Sequence, residues 1–277
     1  MVSLVPSEML AGTPARAVSA YARGYAGFVE EVGAHVRRVE PARPHVSVII
    51  AFSGKVTVGR IGKPGCELHA FVTGAASGPL LAGHDGQLQC VEIDIVPWAS
   101  TVLLGAPLTA SDDPVALADL LGRDAGTLIE CLAAAPGWAE RFALLDALFL
   151  ARLASAARLP RPEIWWAWKQ LERSAGAVPI GRLARTIGWS DRHFARCFQD
   201  ATGLSPKTAA RRIRFDRARA MMDKSAITLA DVAATCGYSD QSHLTREFGE
   251  LAGCPPAAYR AACFEDLPGK PASLLGA

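Results

Sequence analysis

One motif occurs twice in the C-terminal part of the chain, and this repeat restricts the possible folds more than any other feature. The first copy is GWSDRHFARCF at residues 188–198, and the second is GYSDQSHLTREF at residues 237–248. Both copies begin with glycine, an aromatic residue, serine and aspartate, and both end with an arginine and a phenylalanine two positions apart. A glycine that ends one helix and a serine that begins the next are typical of a helix-turn-helix. The sequence therefore predicts two such units, 49 residues apart.

A short amphipathic segment precedes each copy. In the first segment, apolar residues recur at the spacing of a helix that is buried on one side. These residues are Ile180, Leu183, Ala184 and Ile187. The second segment runs from Ile227 to Cys236. Gly188 and Gly237 are the expected helix ends, because glycine adopts a left-handed backbone conformation at little cost.

The helix that follows each turn is predicted to have an apolar side and a polar side. We expect Ser190 and Ser239 to cap these helices by accepting a hydrogen bond from a backbone N–H. Phe194 and Phe198 fall on one side of the first helix, which predicts that this side is buried. The opposite side of each helix is then free to contact another molecule.

A basic helix is expected between the two copies. Ser205 and Pro206 begin it, since proline is best tolerated in the first turn of a helix, and the pattern continues to Met222. This helix would join the two units and would carry Lys207 and Arg211 close to its start.

These residues resemble the AraC/XylS family of bacterial transcription regulators, over Pro162 to about Cys263. The matching motifs are Ser190, Arg192, Phe194, Arg196 and Phe198 in the first copy, RFDRA at 214–218 in the linking helix, GYSDQS at 237–242 in the second copy, and the closing CPPAAYR at 254–260. The resemblance implies a regulator whose two recognition helices enter successive major-groove segments of double-stranded promoter DNA. It also implies contact with RNA polymerase and a homodimer.

The family motif assigns the residues that face the DNA. The implied base contacts are Arg192, Ala195, Arg196, Gln241, Ser242, Thr245 and Arg246. Arginine suits guanine O6 and N7, and glutamine suits adenine N6 and N7. The predicted contacts to the DNA backbone are Ser190, Ser239, Lys207 and Arg211. For either arginine of the first helix, a phosphate contact is the alternative.

Charge agrees with this interpretation without deciding it. Residues 161–265 hold 16 basic and 11 acidic side chains, whereas residues 1–160 hold 12 and 15. A basic half joined to a mildly acidic half suits a DNA reader attached to a sensor, because phosphate neutralisation supplies most nonspecific affinity for DNA. Such an excess also occurs on helical domains that bind nothing.

The N-terminal half is predicted to contain short strands. β-Branched segments separated by glycine-rich turns lie at residues 45–52, 55–58, 68–73 and 88–95. The predicted fold class is α+β: a small antiparallel barrel or sandwich of the cupin-like kind, followed by helices and an all-α C-terminal domain. The family resemblance implies an unidentified small-molecule effector in this half, and His69 and His84 are candidate pocket residues. No cofactor is expected.

The expected domain boundaries follow from composition. A sensor and dimerisation domain covers residues 1–158, with strands at about 44–104 and helices at about 112–157, the first opened by the Ser111–Pro114 segment. Two prolines mark a linker at 159–161, the DNA-binding domain covers 162–265, and a disordered tail is expected at 266–277. Apolar residues on more than one side of the helix that begins near Trp138 allow either a dimer seam or packing onto the strands.

The cysteines and histidines argue against an enzyme. Seven cysteines show no CxxC pair, six histidines form no metal-binding array, and no cysteine is next to a histidine. Most cysteines are expected to be buried small hydrophobic residues. Two alternative functions remain open: a redox sensor that uses Cys197 of the first recognition helix, and a DNA binder whose N-terminal half only contacts other proteins. A DNA-modifying enzyme ranks third, since it lacks an identifiable nucleophile or metal site.

Hydropathy predicts a cytoplasmic protein. No uninterrupted apolar run approaches the roughly 18 residues that span a bilayer. The first residues lack the basic start and apolar centre of an export signal. We therefore expect no membrane partner.

Overall fold

A computed structural model of the chain describes residues 8–75, 78–106, 108, 113–156, 159, 161–224, 227–262 and 270–276. A β-sandwich comes first in the chain, and helices follow it. The strands are β1 Glu8–Gly12, β2 Ala22–Glu31, β3 Val36–Glu40, β4 Val46–Ser53, β5 Val56–Arg60, β6 Cys66–Leu68, β7 Ala70–Thr73, β8 Leu80–His84, β9 Gln87–Ile95, β10 Val115–Ala116 and β11 Lys270–Pro271.

Two antiparallel sheets make up the sandwich. One has six strands in the order β1-β2-β9-β4-β7-β10, and the other has five strands in the order β11-β3-β8-β5-β6. Because the sheets are separate, this is the sandwich of the predicted fold class and not a closed barrel. The central strands β4, β7 and β9 are largely buried on both faces, because one face meets the other sheet and the opposite face meets helices.

The predicted strands at 45–52, 55–58, 68–73 and 88–95 are present as β4, β5, β6 with β7, and β9. The expectation that strands begin near residue 44 is wrong, because β1, β2 and β3 lie before it. The sequences of β2 and β3, ARGYAGFVEE and VRRVE, contain glycines and charges that weaken a strand signal. Pairing of β2 with β9 and of β3 with β8 over long sequence separations makes them strands.

Eleven α-helices are found in the described part of the chain. They are α1 Ser100–Leu104, α2 Leu117–Leu121, α3 Arg123–Ala134, α4 Trp138–Ser155, α5 Pro162–Arg173, α6 Ile180–Ile187, α7 Asp191–Thr202, α8 Pro206–Lys224, α9 Leu229–Thr235, α10 Gln241–Ala252 and α11 Pro256–Ala261. The predicted helix opening at 115 begins instead as β10, which pairs with β7. Its predicted start at Ser111 and Asp112 lies outside the described residues. Among described residues, no helix is both long and apolar enough to cross a membrane.

Helix α4 packs against the six-stranded sheet, which was one of its two predicted positions. A Cβ at Gly27 would lie 2.3 Å from the Trp138 ring, so this glycine lets the helix approach β2 closely. The Tyr25 hydroxyl donates a hydrogen bond to Asp146 at 2.8 Å, which ties the same strand to the middle of α4. On the outward side, Leu150 remains 41% exposed.

The two helix-turn-helix units belong to different hydrophobic cores. The first unit shares one continuous core with the sandwich, through buried residues such as Phe194 and Trp98. The second unit has another core, formed mainly by α8 to α11 around Leu244 and Phe248, to which Ala42 of the β3–β4 connection and Leu274 also belong. The first helix-turn-helix unit therefore shares the large core of the sandwich, whereas the second has a smaller core that meets the sandwich at Ala42.

The C-terminal tail is not disordered where the structure describes it, so that expectation is wrong for residues 270–276. Lys270 and Pro271 pair with Val39 and Arg38 of β3, and Leu274 is buried. Apolar burial and ladder hydrogen bonds, neither visible in a short tail sequence, hold this segment on the five-stranded sheet. Residues 263–269 and 277 lie outside the described residues.

Direct contacts also join the helical half to the sandwich. The Ala42 N–H donates to the Leu251 carbonyl at 2.7 Å, near the end of α10. On the other side, Arg23 of β2 forms a 2.6 Å ion pair with Glu172 of α5. The proposed domain division at 159–161 therefore separates two parts that contact each other along both helix-turn-helix units; Arg158 and Pro160 lie outside the described residues.

Candidate nucleic-acid interface and adjoining cavity

The first helix-turn-helix has the predicted local geometry. Helix α6 ends at Gly188, which has a φ of 81°, and the Trp189 N–H returns to the Ala184 carbonyl at 3.0 Å. Ser190 then caps α7, because its hydroxyl accepts a hydrogen bond from the His193 N–H at 3.3 Å. The predicted stop and the predicted cap are both confirmed.

In the second unit, the turn is as predicted but the cap is not. Gly237 has a φ of 75°, and the Tyr238 N–H returns to the Ala233 carbonyl at 2.9 Å. The cap of α10 is Asp240, whose carboxylate accepts from the His243 N–H at 2.7 Å, and not Ser239. The second copy has one extra residue after the aspartate, so its helix begins one position later and the aspartate takes the capping position.

The buried side of each recognition helix is held by aromatic packing. Phe198 of α7 stacks on Trp168 of α5 with ring centres 6.0 Å apart. Phe248 of α10 meets Phe215 of α8 edge-on at 5.0 Å and Tyr259 of α11 at 5.2 Å. Because one side of each helix is fixed in this way, the opposite side faces outward in a defined orientation.

The residues predicted to face bases lie on the outward sides. Arg192 and Arg196 of α7 are exposed and Ala195 is half-buried. In α10, the exposed residues are Gln241, Ser242, Thr245 and Arg246. A guanidinium nitrogen of Arg196 lies 3.3 Å from His193 Nδ1, which orients this side chain along the helix.

Sequence reasoning missed the role of two equivalent histidines. The His193 ring contacts Trp189 edge-on at 4.7 Å, and the His243 ring contacts Tyr238 in the same way at 5.2 Å. Each pair joins the turn to the first helical turn of a recognition helix. The sequence carried a signal for this role, since both copies place a histidine directly before the first buried apolar residue, Phe194 or Leu244.

The linking helix α8 braces the second unit. Arg211 forms ion pairs with Glu247, at 2.9 Å, and with Glu250, both on α10. Arg214 donates to the Gly237 carbonyl at 3.2 Å. Of the two predicted phosphate contacts on α8, Lys207 is exposed, whereas Arg211 is already bound to carboxylates.

The cysteines divide into buried and accessible groups. Burial raises the pKa of the thiols of Cys90, Cys236 and Cys254, the last to about 11, which fits the prediction of inert hydrophobic residues. Cys66 and Cys131 are exposed, so that prediction is wrong for them. Half-buried Cys197 has its sulfur 3.6 Å from His193 Nε2. The seventh, Cys263, lies outside the described residues.

A cavity of about 510 Å³ lies between the two sheets and reaches the helical half. The residues that line it from the sandwich come from β1 to β5 and β7 to β9, and include Phe28, Phe71 and Leu80. From the helical half it is lined by Arg219 and Asp223 of α8 and Tyr259 of α11, and the edge strand β11 adds Lys270. Helix α8, which links the two helix-turn-helix units, therefore forms part of the cavity wall.

One of the two predicted pocket histidines lines this cavity. His84 is buried, and its Nε2 lies 2.9 Å from Glu30, which also binds Arg38 at 2.6 Å. Burial alone would raise the pKa of Glu30, but the hydrogen bonds from His84 and Arg38 lower it overall. His69 is exposed, contacts the Gly54 carbonyl at 3.1 Å and is not a lining residue, because it lies beyond the outer end of β6.

No cluster of histidine, cysteine, aspartate or glutamate suited to a metal ion occurs among the residues that the structure describes. Fold and site together define a protein with an all-α half that carries two helix-turn-helix units and a β-sandwich that contains a cavity and packs against this half.

Comparisons with known proteins agree with this class. A family model described as a helix-turn-helix domain matches residues 183–262. The chain is 37% identical over 90 residues to the HTH-type transcriptional regulator Rv1931c of Mycobacterium tuberculosis, covering 32% of this chain and 35% of that protein. It is 30% identical over 95 residues to the "Probable transcription factor PqrA" of Proteus vulgaris, covering 34% of this chain and 77% of PqrA. It is 27% identical over 92 residues to the RCS-specific activator RclR of Escherichia coli, covering 33% of this chain and 32% of RclR.

The chain belongs to the AraC-type family of helix-turn-helix proteins. It spans about a third of the length of Rv1931c and RclR. Among solved structures, ToxT from Vibrio cholerae is similar over 86% of this chain and 98% of that chain, with a TM-score of 0.48 and 9% identity.

Proposed function

We propose that this protein is a sequence-specific DNA-binding regulator of transcription that inserts α7 and α10 into successive major-groove segments. The observation that carries the proposal is the pair of capped helices, each buried on its aromatic side and exposed on its arginine-bearing side. Major-groove segments on one face of B-DNA recur about 34 Å apart. Helix α8, which packs on both units, would set that spacing.

The exposed side chains suit base reading. Arg192 and Arg196 would recognise guanine, and Gln241 would recognise adenine, each bidentate contact contributing about 1–3 kcal/mol of discrimination. Half-buried Ala195 offers only a methyl group, so the first helix would depend on its two arginines. In the second helix, Ser242, Thr245 and Arg246 complete the polar surface.

Selection of bound duplexes from a random DNA pool tests the two-headed model. The full chain at a stated salt concentration should select two short sequence blocks centred about one helical turn, or 34 Å, apart. Recovery of a single block would contradict base reading by one of the helices. Salt must be stated because phosphate contacts make affinity strongly salt-dependent.

Substitutions separate base contacts from backbone contacts. Arg196→Ala should weaken binding at one base position of the site by about 1–3 kcal/mol. The matched Lys207→Ala variant should weaken all sequences alike and reduce the slope of affinity against salt by about one. An equal loss on every sequence from Arg196→Ala would contradict its base-reading role.

We further propose that a small molecule in the sandwich cavity modulates DNA binding. Its volume of about 510 Å³ lies within the roughly 300–1,000 Å³ of small-molecule sites. Its lining includes Arg219 and Asp223 of α8, so a bound molecule would contact the linking helix. Screening metabolites by thermal stabilisation tests this, with Ala82→Phe as the control variant, since the added ring would occupy the cavity. A hit that Ala82→Phe binds equally well would place the effector elsewhere.

A redox-sensing regulator is the second candidate, and the 3.6 Å separation of Cys197 and His193 favours it. In that case, mild thiol oxidation should change DNA affinity, and Cys197→Ser should abolish the change. The exposed Cys131→Ser variant is the matched control. Contact with RNA polymerase and formation of a homodimer stay predictions from the family resemblance.

A further inference from the structure

One carboxylate in the cavity lacks the partners that the other charged groups have. Glu40 ends β3, and 38% of its side-chain surface is exposed. Its nearest charged partner is Arg43, at 3.9 Å, and its carboxylate accepts no hydrogen bond from the residues that the structure describes. Arg43 lies closer to Glu92, at 2.5 Å, and to Asp94, at 3.4 Å. A single guanidinium therefore serves three carboxylates.

The cations that line the cavity are already paired. Each arginine or lysine of the lining has a carboxylate within reach: Arg38 with Glu30 at 2.6 Å, Arg43 with Glu92 at 2.5 Å, Arg219 with Asp216 at 2.8 Å, and Lys270 with Asp223 at 3.6 Å. The lining holds four acidic and four basic side chains, and among the acidic ones Glu40 is the one whose nearest cation lies as far away as 3.9 Å. An incoming anion would have to compete with a protein carboxylate at every cation.

Glu40 belongs to the cavity lining at the place where the sandwich meets the helical half. Burial raises the pKa of Glu40, and the positive charges of Arg43, Arg38 and Arg219 lower it in part. Glu40 lines the cavity together with Tyr259 and Arg219 of the helical half. Glu40 is half-exposed and its only ion pair is a distant one, so a ligand donor at this position would meet a carboxylate that no described side chain bonds.

The rest of the cavity favours an apolar body. Between the sheets, the lining is mainly aliphatic and aromatic. This part consists of Phe28, Ile49, Val56, Val58, Phe71, Leu80 and Leu88. At the Glu40 end, the Tyr259 ring already holds the Lys270 ammonium 4.6 Å from its centre, so an ammonium is compatible with this environment.

We propose that the cavity binds a small amphipathic cation, whose apolar body lies between the sheets and whose primary ammonium donates to Glu40 at the junction with α8. This inference rests on the proposed effector function and adds the chemical class of the ligand. The ammonium supplies the hydrogen-bond donor that Glu40 lacks among the described residues. The apolar body displaces water from the aliphatic walls.

Three probes with the same chain and different head groups test the proposal: decylamine, decanol and decanoate, each titrated calorimetrically into the full-length protein below its micelle-forming concentration. Decylamine should bind at least about ten-fold more tightly than decanol, which corresponds to about 1.4 kcal/mol. Decanoate should bind most weakly. In Glu40→Gln, decylamine and decanol should bind within about three-fold of each other, while decanol affinity stays unchanged.

Two controls make the result specific. Glu67→Gln changes an exposed carboxylate of β6 that pairs with Lys55 outside the cavity, and it should leave all three affinities unchanged. Thermal unfolding of Glu40→Gln checks that the variant is folded, as expected for an isosteric change at a weak ion pair.

The outcomes separate the ligand class from the effector role. Tighter binding of decanoate, equal binding of decylamine and decanol, no binding of any probe, or an unchanged preference in Glu40→Gln would each overturn the inference. The effector role is measured separately, as the change in DNA affinity at saturating probe. Decylamine that binds through Glu40 without any effect on DNA affinity would contradict the proposed function and leave the ligand class supported.

Discussion

Replacement of Leu244 by alanine should destabilise the second helix-turn-helix unit without loosening the first. Leu244 has no exposed surface and lies in the core formed by α8 to α11, beside Phe248. Truncation of a fully buried leucine costs about 2–5 kcal/mol, because the lost transfer free energy is joined by the cost of the cavity left behind. We expect a cost in the upper part of this range, because Leu244 has no exposed surface and its core contains the rigid rings of Phe215 and Phe248, which cannot easily move to fill the cavity.

The aligned residue of the first unit gives the matched variant. Phe194 is also fully buried, but its core is continuous with the sandwich. Phe194→Ala should cost about 3–5 kcal/mol and should lower the stability of both the first unit and the sandwich. The two substitutions should therefore lower the free energy of unfolding by similar amounts but loosen different parts of the structure.

Hydrogen exchange followed by mass spectrometry resolves this difference. Leu244→Ala should speed amide exchange in α8 to α11 and leave β4 and β9 at the wild-type rate, since the buried residues of these strands belong to other cores than Leu244. Phe194→Ala should speed exchange in α6, α7 and the sandwich strands. The reasoning fails if Leu244→Ala loosens the sandwich as much as α10, or if Phe194→Ala leaves the sandwich unaffected.

Three further outcomes are expected. Asp240→Ala should lower the melting temperature, whereas Ser239→Ala should not, because the aspartate makes the cap of α10; a larger effect of the serine variant would restore the sequence-based assignment. Gly253→Ala should destabilise the junction by about 1–3 kcal/mol, since its φ is 78° and a Cβ would meet a sandwich side chain at 2.8 Å; unfolding by urea would show a lower midpoint, and an unchanged midpoint would refute the contact. The bonds of Glu30 to His84 and Arg38 lower its pKa, so they stabilise the protein above the unfolded carboxyl pKa of about 4.5 and this stability is lost as pH falls through the folded value. Glu30→Gln should therefore make the free energy of unfolding depend less on pH in the acid range. An unchanged pH dependence in that range would contradict this role of Glu30.

Local signals explain why the reading units could be predicted. The stop at Gly188, the cap at Ser190 and the apolar spacing of α6 each depend on residues within a few positions of one another. The cap that was predicted at Ser239 is wrong for an equally local reason. The second copy has one extra residue, so the aspartate at 240, and not the serine, accepts the hydrogen bond from the backbone N–H. Groove contacts of the exposed residues stay predictions.

Local sequence patterns predict only some of the strands in the sandwich. Strands with strong alternation, such as β4 and β9, were predicted, whereas β2 and β3 became strands only through partners far along the chain. The tail behaved likewise, since Lys270 and Pro271 are ordered by pairing with β3. Ladder hydrogen bonds compensate for weak intrinsic preference, and nothing within those segments encodes their partner.

By itself, the sequence determined the family, the two helix-turn-helix units and the residues on their outward sides, because caps, left-handed glycines and helical periodicity act over a few residues. Only the tertiary structure decided that one unit shares its core with the sandwich, that Arg211 is bound to carboxylates, and that nine strands line one cavity together with α8 and α11. It alone placed Glu40 in that cavity without a hydrogen-bond donor. Burial and the sharing of ion-pair partners arise from groups distant in the chain, so they exist only once the fold has brought those groups together.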